Sequence, residues 1–301
     1  MSKFEVPEVD YTRYSNRQLA AVPLAVLAVA LVVIAGWYVM FGTPVSLGTD
    51  FTGGTELTVQ TDTPRGEIEQ AFDAEVLSTQ QVRDPTSNNP TYVVTFGPEA
   101  DGSALDQQAT DNLEPACSNP EECEIVLSRQ TVSPAFASGA QSTALLGLVV
   151  AFTGMSLLAF GLFRTFVPSA AIVISAFSDI VIPLAVMNLL GIELSLGTVA
   201  ALLMLVGYSV DSDILLNNHI LRRSGGFYES TKRAMDTGVT MTLTSISAMA
   251  VMALTATLFG IDLMASIGLV LVLGLTADLM NTYMLNLSLL RWYKLGEVTP
   301  E

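Results

Sequence analysis

Long apolar stretches without charge divide the chain. Between Gln18 and Thr49 no residue is charged, and Leu19–Phe41 supplies the ~20 apolar positions that one membrane-spanning helix needs. After Arg129 the next charge is Arg164, which leaves Thr143–Phe163 as a second span. Val167–Leu190 is a third, interrupted by Asp179 and Pro183, and Leu194–Asn217 is a fourth. Thr237–Phe259 is a charge-free fifth, and Leu263–Leu290 a sixth that contains Asp278. The first run ends in Trp37, Tyr38 and Met40 rather than a small-residue cleavage site, so it is expected to remain as a signal anchor.

Residues 43–138 follow a different pattern. Thr55–Thr61, Ser78–Arg83, Tyr92–Phe96 and Glu124–Thr131 read as strands. Pro64–Glu75 and Ala104–Leu113 read as amphipathic helices. The order βαββαβ is that of a ferredoxin-like sandwich. The pattern therefore predicts an α-helical polytopic membrane protein with a small α+β domain between its first two spans. The segments are a 1–17 N-terminus, a first transmembrane helix at 18–42, the domain at 43–138, five more helices within 139–293, and a 294–301 tail.

Charge then orients the spans. Half of the 301 residues are hydrophobic and 14% are charged, below the roughly 25% of a soluble domain. The short segments that include both termini hold ten of the thirteen basic residues, and the loops around Gly191–Glu193 and Gly260–Asp262 hold none. By the positive-inside rule both termini lie in the cytoplasm, and residues 43–138 lie outside the cell membrane. That outer segment has 16 acidic and 3 basic residues, most of the chain's net charge of −16, which describes a solvated surface rather than a fold. Cys117 and Cys123 can make one bridge or remain a free pair.

The candidate chemistry lies inside the spans. Asp179, Asp211, Asp213 and Asp278 fall on three of them, with no Lys or Arg at comparable depth. A carboxylate in hydrocarbon costs of order 2.5–3.5 kcal/mol on insertion scales, so a chain that keeps four has a use for them. A buried carboxyl without a cation can stay neutral and ionise when water reaches it, which is the chemistry of a proton relay. The bland reading is an interhelical hydrogen bond worth about 1 kcal/mol or less. Asp213 stands about 200° round the helix from Asp211. Asp211, with Gly207 and Tyr208 on its face, is expected to point into the bundle, and Asp213 toward cytoplasmic water. Thr240, Thr244 and Ser247 form a hydroxyl stripe that packs or lines a path past Asp211. Gly274, Asp278, Asn281 and Thr282 share one face of the sixth span, and His219 is expected at the surface. No GxxxxGK[ST], GxGxxG, HExxH or GxSxG pattern occurs, so energy from ATP is not expected, and neither a cofactor, a metal nor a nucleic-acid partner is implied.

Four segments carry a family resemblance. GTDFTGGTEL at 48–57, with Gly48, Asp50, Phe51, Gly53 and Gly54, resembles the G-x-D-F-x-G-G motif of SecD and SecF, accessory subunits of the Sec protein-translocation channel. VGYSVDSDILLNNHI at 206–220, with Gly207 and Ser209, is similar to the IGYSxND segment of the SecF branch. FSD at 177–179 and AMDTGVTMTLTSISA at 234–248 resemble segments of that branch's third and fifth spans. Asp211-Ser212 stands where the branch has Asn-Asp, which puts Asp211 at the place of the SecD aspartate in G-x-x-V-D-A. Ser178 replaces a histidine, and Asn217, Asn218 and His219 replace Phe-Asp-Arg.

The resemblance implies a six-helix half of the RND superfamily that pairs with a SecD subunit. It implies action on exported polypeptides at the Sec channel, driven by proton flux across the cytoplasmic membrane. Rival readings are an RND-type transporter of a small molecule or lipid, an intramembrane protease with Asp179 and Asp211 as its dyad, and a scaffold for SecD that conducts nothing.

Overall fold

A computed structural model describes residues 9–82, 89–116, 124–222 and 225–296. Six of its helices are long and apolar enough to cross a membrane: α1 (Asn16–Phe41), α5 (Pro134–Phe163), α6 (Phe166–Leu190), α7 (Leu196–Arg222), α8 (Phe227–Leu258) and a last helical span, Asp262–Leu295. Between α1 and α5 lie α2 (Thr49–Thr52), β1 (Gly54–Gln60), α3 (Arg65–Ile68), β2 (Val76–Val82), β3 (Thr91–Phe96), α4 (Gly102–Asn112) and β4 (Val126–Val132). The last span comprises α9 (Asp262–Met280), a π-helical stretch at Asn281–Asn286 and α10 (Leu287–Leu295).

Local chemistry sets the ends of these helices. Ser15 caps α1 in a reciprocal capping box with Gln18, and Gly42 ends the helix in the left-handed region at φ 77°. Ser133 accepts from Phe136 N and Pro134 takes the first turn of α5, where its missing N–H costs nothing. This helix starts nine residues before the apolar run at Thr143, because a good cap, three alanines and Gln141 carry it past the span. Likewise α8 begins at Phe227 rather than Thr237, its first turns supported by a Glu229–Arg233 pair one turn apart.

The sheet has the order β2-β3-β1-β4, antiparallel throughout, as a ferredoxin-like βαββαβ chain requires. Alternate residues Leu57, Val59, Tyr92, Val94 and Phe96 point to one face and bury Ile68, Phe72, Leu105 and Ala109 from the helical side. The Phe72 and Phe96 rings meet edge to face, centroids 4.8 Å apart. The first helix of this domain is shorter than the Pro64–Glu75 read from the sequence: a 3₁₀ turn at Glu69–Ala71 follows α3, and extended backbone at Phe72 turns that ring into the core. Cys117 and Cys123 lie outside the described residues.

In the bundle α6, α7 and α9 pack on one another, with α1 against α6, α5 against α6 and α7, and α8 against α7 and α9. Of the most apolar window of α6, 67% is buried, against 11% for α5 and for α8. The central trio thus holds the interior, and the outer helices show most of their apolar surface beyond the chain. At the end that carries both termini, the fully buried Arg291 donates to the carbonyls of Tyr11 and Tyr14 and to Asn16, tying the N-terminal segment under the bundle. Tyr11 fills the same layer, and burial pushes its phenol up to about 12.

Candidate functional site

Three carboxylates meet at the centre of α6, α7 and the last span. Asp179, Asp213 and Asp278 are each at most 1% exposed. Every donor described at these groups is neutral. Asp179 accepts from the Ser209 hydroxyl on α7 and from the Asn281 amide, both at 2.5 Å. Asp278 accepts from Ser212, 2.9 and 2.8 Å from its two oxygens. Asp213 accepts from the Asn286 amide at 2.7 Å and from the Thr282 hydroxyl at 2.9 Å. The same Thr282 oxygen lies 3.3 Å from Asp278. A hydroxyl has one hydrogen and two lone pairs, so Thr282 can give to one carboxylate while accepting from the other if that one is protonated. It therefore sits as a bridge between Asp213 and Asp278.

The π-helical stretch makes this set possible. In an α-helix Asn281, Thr282 and Asn286 would spread over about 140°. A π turn is wider, so residues four and five apart approach a common direction. All three side chains then reach the carboxylates, and all three are fully buried.

The two aspartates of α7 exchange the places that the sequence suggested. Asp213 faces the interior, and Asp211 is exposed on the opposite face. Their separation round the helix is as the spacing requires. What decides the inward face is the row Leu202, Leu205, Ser209, Ser212, Asp213, Leu216 and Ile220, which packs on α6 and the last span. Asp211 does share its face with Tyr208, and both line a cavity of about 370 Å³ between α7 and α8 with Asn218, Gly238, Met241 and Thr242. Gly207 on that face meets no atom within 4 Å of an added Cβ.

Other expected residues move too. Thr240, Thr244 and Ser247 are exposed, and each hydroxyl bonds back to a carbonyl of its own helix at 2.7–2.8 Å. They form no path past Asp211. The α8 hydroxyls that face it are Thr242, which lines the cavity, and Ser245, bonded to the Tyr208 phenol. His219 is 5% exposed, its Nδ1 against the Leu215 carbonyl at 2.8 Å, because it lies on the inward row one turn from Leu216. Asn281 does join the site, beside Asp179. Ser212 and Asn286 were not singled out in the sequence. The signal that could have found them is Asn286 at i+4 from Thr282, and Ser212 one position from Asp213.

The Gly48–Gly54 motif lies away from the carboxylates, at the other end of the bundle. Asp50 accepts from the Leu196 amide at the start of α7 at 2.9 Å, and Phe51 is buried with its carbonyl taken by Gln141 of α5. Gly54, at φ 140°, would put a Cβ 2.3 Å from the Phe96 carbonyl, so only glycine enters the sheet here.

Comparison with known proteins places the chain in a family. The sequence model of the protein export membrane protein SecD/SecF C-terminal region matches residues 116–296, and that of the SecD/SecF GG motif matches residues 38–64. The protein-export membrane protein SecF of Haloferax volcanii is 64% identical over 299 residues, covering 99% of this chain and 100% of that protein. Its counterpart from Haloquadratum walsbyi is 62% identical over 295 residues, 98% of each. SecF of Methanocaldococcus jannaschii is 36% identical over 91% of this chain and 94% of its own. Among solved structures, SecDF of Thermus, a translocon-associated membrane protein, superposes with a TM-score of 0.70 at 21% identity over 96% of this chain. The chain spans 39% of the length of that SecDF polypeptide, so the likeness is one of fold over part of it. With motif, length and six-helix architecture in agreement, the chain is a multi-pass protein-export membrane protein that belongs to the SecD/SecF family, in its SecF branch.

Proposed function

We propose that the chain works beside a SecD subunit at the Sec channel, where it uses the proton gradient to promote export of polypeptides across the cytoplasmic membrane. The observation that carries this reading is the cluster of Asp179, Asp213 and Asp278, buried and held, among the described residues, by hydroxyl and amide donors. Three ionised carboxylates without a cation would repel one another at low dielectric, so the cluster is a place where protons are held and exchanged. Thr282 links two of its members, and Ser209 and Ser212 link the third span's and the last span's carboxylates to α7.

Asp211 is the group through which the partner enters. An ionisable side chain at span depth on an outward face calls for polar surroundings, from water in the cavity beside it or from another molecule. The SecDF likeness points to a second six-helix half as that molecule. The open Gly207 and the cavity beside Tyr208 leave room for its helix to approach closely. In this reading both termini are cytoplasmic, the domain of β1–β4 lies outside, and proton movement between Asp211 and the buried cluster shifts α7.

The test is Asp211→Asn in cells that lack the native copy, with export of a reporter protein and co-purification of SecD measured together. Export is expected to fall at least tenfold while SecD still co-purifies. Unchanged export would remove Asp211 from the relay, and unchanged export in Asp213→Asn as well would leave the chain as a scaffold.

A further inference from the structure

The segment that leads from α1 into β1 is bound along its length to the turn between α6 and α7. Asn188, 2% exposed at the end of α6, accepts from Ser46 N at 3.1 Å and donates to the Pro44 carbonyl at 2.9 Å. Leu194 N donates to the Ser46 carbonyl at 2.7 Å, and Gly48 N to the Leu194 carbonyl at 2.9 Å, a short parallel bridge of Leu47 with Leu194. Next along, Asp50 accepts from Leu196 N. A side chain at Gly48 would come within 3.2 Å of the Glu193 carboxylate, so the two strands of the joint are in close contact.

The joint therefore grips the ends of two of the three helices that carry the site. Asp179 is on α6, and Asp211 and Asp213 are on α7. At 1.5 Å per residue Asp211 lies about 22 Å along the helix from Leu196, a short and stiff rod. On the other side, β1 starts four residues after Asp50. Gly53 and Gly54 fix the bend into it, close against Pro134 and Phe96. No loose segment stands between α7 and the sheet.

We propose that Asp50 and Asn188 are coupling residues, which pass movement of α6 and α7 to the α+β domain and so convert proton movement into work on the exported chain. The inference rests on the proton-driven reading above. Asp50 acts by holding the first turn of α7, and Asn188 by holding the linker to the end of α6. Neither touches the carboxylate cluster, so both are positioning residues.

The experiment uses membrane vesicles with this chain, its SecD partner and the Sec channel, and measures proton flux and reporter export in the same preparation. Asp50→Ala and Asn188→Ala are expected to lower export at least tenfold and to leave Asp211-dependent proton flux within about twofold. Asp50→Asn keeps an amide oxygen to accept from Leu196 N, and is expected to recover export. A Leu47→Cys, Leu194→Cys pair, oxidised across the bridge, is expected to export normally because the joint moves as one body. Loss of flux together with export in both alanine variants would reduce the joint to a structural anchor, and full export in both would remove it from the mechanism. Blocked export in the oxidised pair would mean that the joint must open, which also overturns the proposal. A native complex without Asp211-dependent flux would instead overturn the proton reading, and the coupling with it.

Discussion

The two faces of α7 carry the same chemistry and meet opposite surroundings. Inward, Ser209, Ser212 and Asp213 are buried, and each bonds to a group on α6 or the last span. Outward, Tyr208 and Asp211 line a cavity and Gly207 beside them meets open space, with one hydroxyl, Ser245, bonded to the phenol. The inner face is completed by the chain itself. The outer face is a polar surface at span depth, of the kind a membrane protein keeps where a water-filled cavity or a polar partner meets it. The difference separates residues that hold the bundle together from residues that need a partner, and substitutions on the two faces should separate in the same way.

The largest effect on the inner side is expected at Gly274. A Cβ there would fall 2.2 Å from a methyl of Leu205, which is fully buried and would have to shift within the packed core. Gly274→Ala should cost about 1–3 kcal/mol as overpacking, read as a lower thermal midpoint of the purified chain in detergent. A midpoint equal to the native one would show that α7 and α9 do not pack as described. The matching change outside is Gly207→Leu, where nothing stands within 4 Å. Replacing an interior helical glycine gains up to about 1 kcal/mol of helix propensity, so the chain alone should be no less stable. Recovery of SecD with it should fall about tenfold. If the midpoint drops and SecD binding holds, the faces have been assigned the wrong way round.

This assignment is where sequence reading reached its limit. Periodicity grouped Gly207, Tyr208 and Asp211 correctly, because 100° per residue is set by the backbone. It could not say which group faces inward, since that depends on what α6 and the last span offer across the gap. The six spans were legible because each is a long apolar run between charges. The ends of α5 and α8 were not, because polar residues extend a helix as well as apolar ones do. The strands of the small domain were legible from alternation, whereas the 3₁₀ turn at Glu69–Ala71 answers to the packing of Phe72. The π-helical stretch leaves no mark in composition. Spacing put Asn281 and Thr282 on one face, and the wider turn brings Asn286 to the same carboxylates. The Gly48–Gly54 motif was visible as a pattern, but its role as a clamp on α7 required Leu196 to be placed beside Asp50.

A finer test of the inner face is Thr282→Val, which keeps the shape and removes the hydroxyl between Asp213 and Asp278. Hydrogen bonds between membrane helices average about 0.6 kcal/mol, so stability should fall by about that much. Proton flux should fall by a larger factor, because valine can neither accept nor donate. Loss of stability without loss of flux would make Thr282 structural only.

The smallest expected effect concerns Glu193, in the turn between α6 and α7. Burial, and then the neighbouring carboxylate of Glu56 on β1, raise its proton affinity above the ordinary glutamate range. A group that binds its proton more tightly when folded favours the folded state at low pH. That contribution is complete below the unfolded value near 4.3 and is lost as pH rises through the raised folded value. The native chain should therefore lose a little stability between pH 4 and neutrality at this site. Glu193→Gln removes the titrating group and should flatten that slope, giving a higher midpoint than the native chain at pH 7 and a similar one at pH 4. Glu56→Gln removes the repulsion but not the burial, so it should flatten the slope only in part. Parallel midpoint curves for all three chains would mean that Glu193 is as well solvated in the folded protein as in the unfolded one, and that the joint is looser than its hydrogen bonds imply.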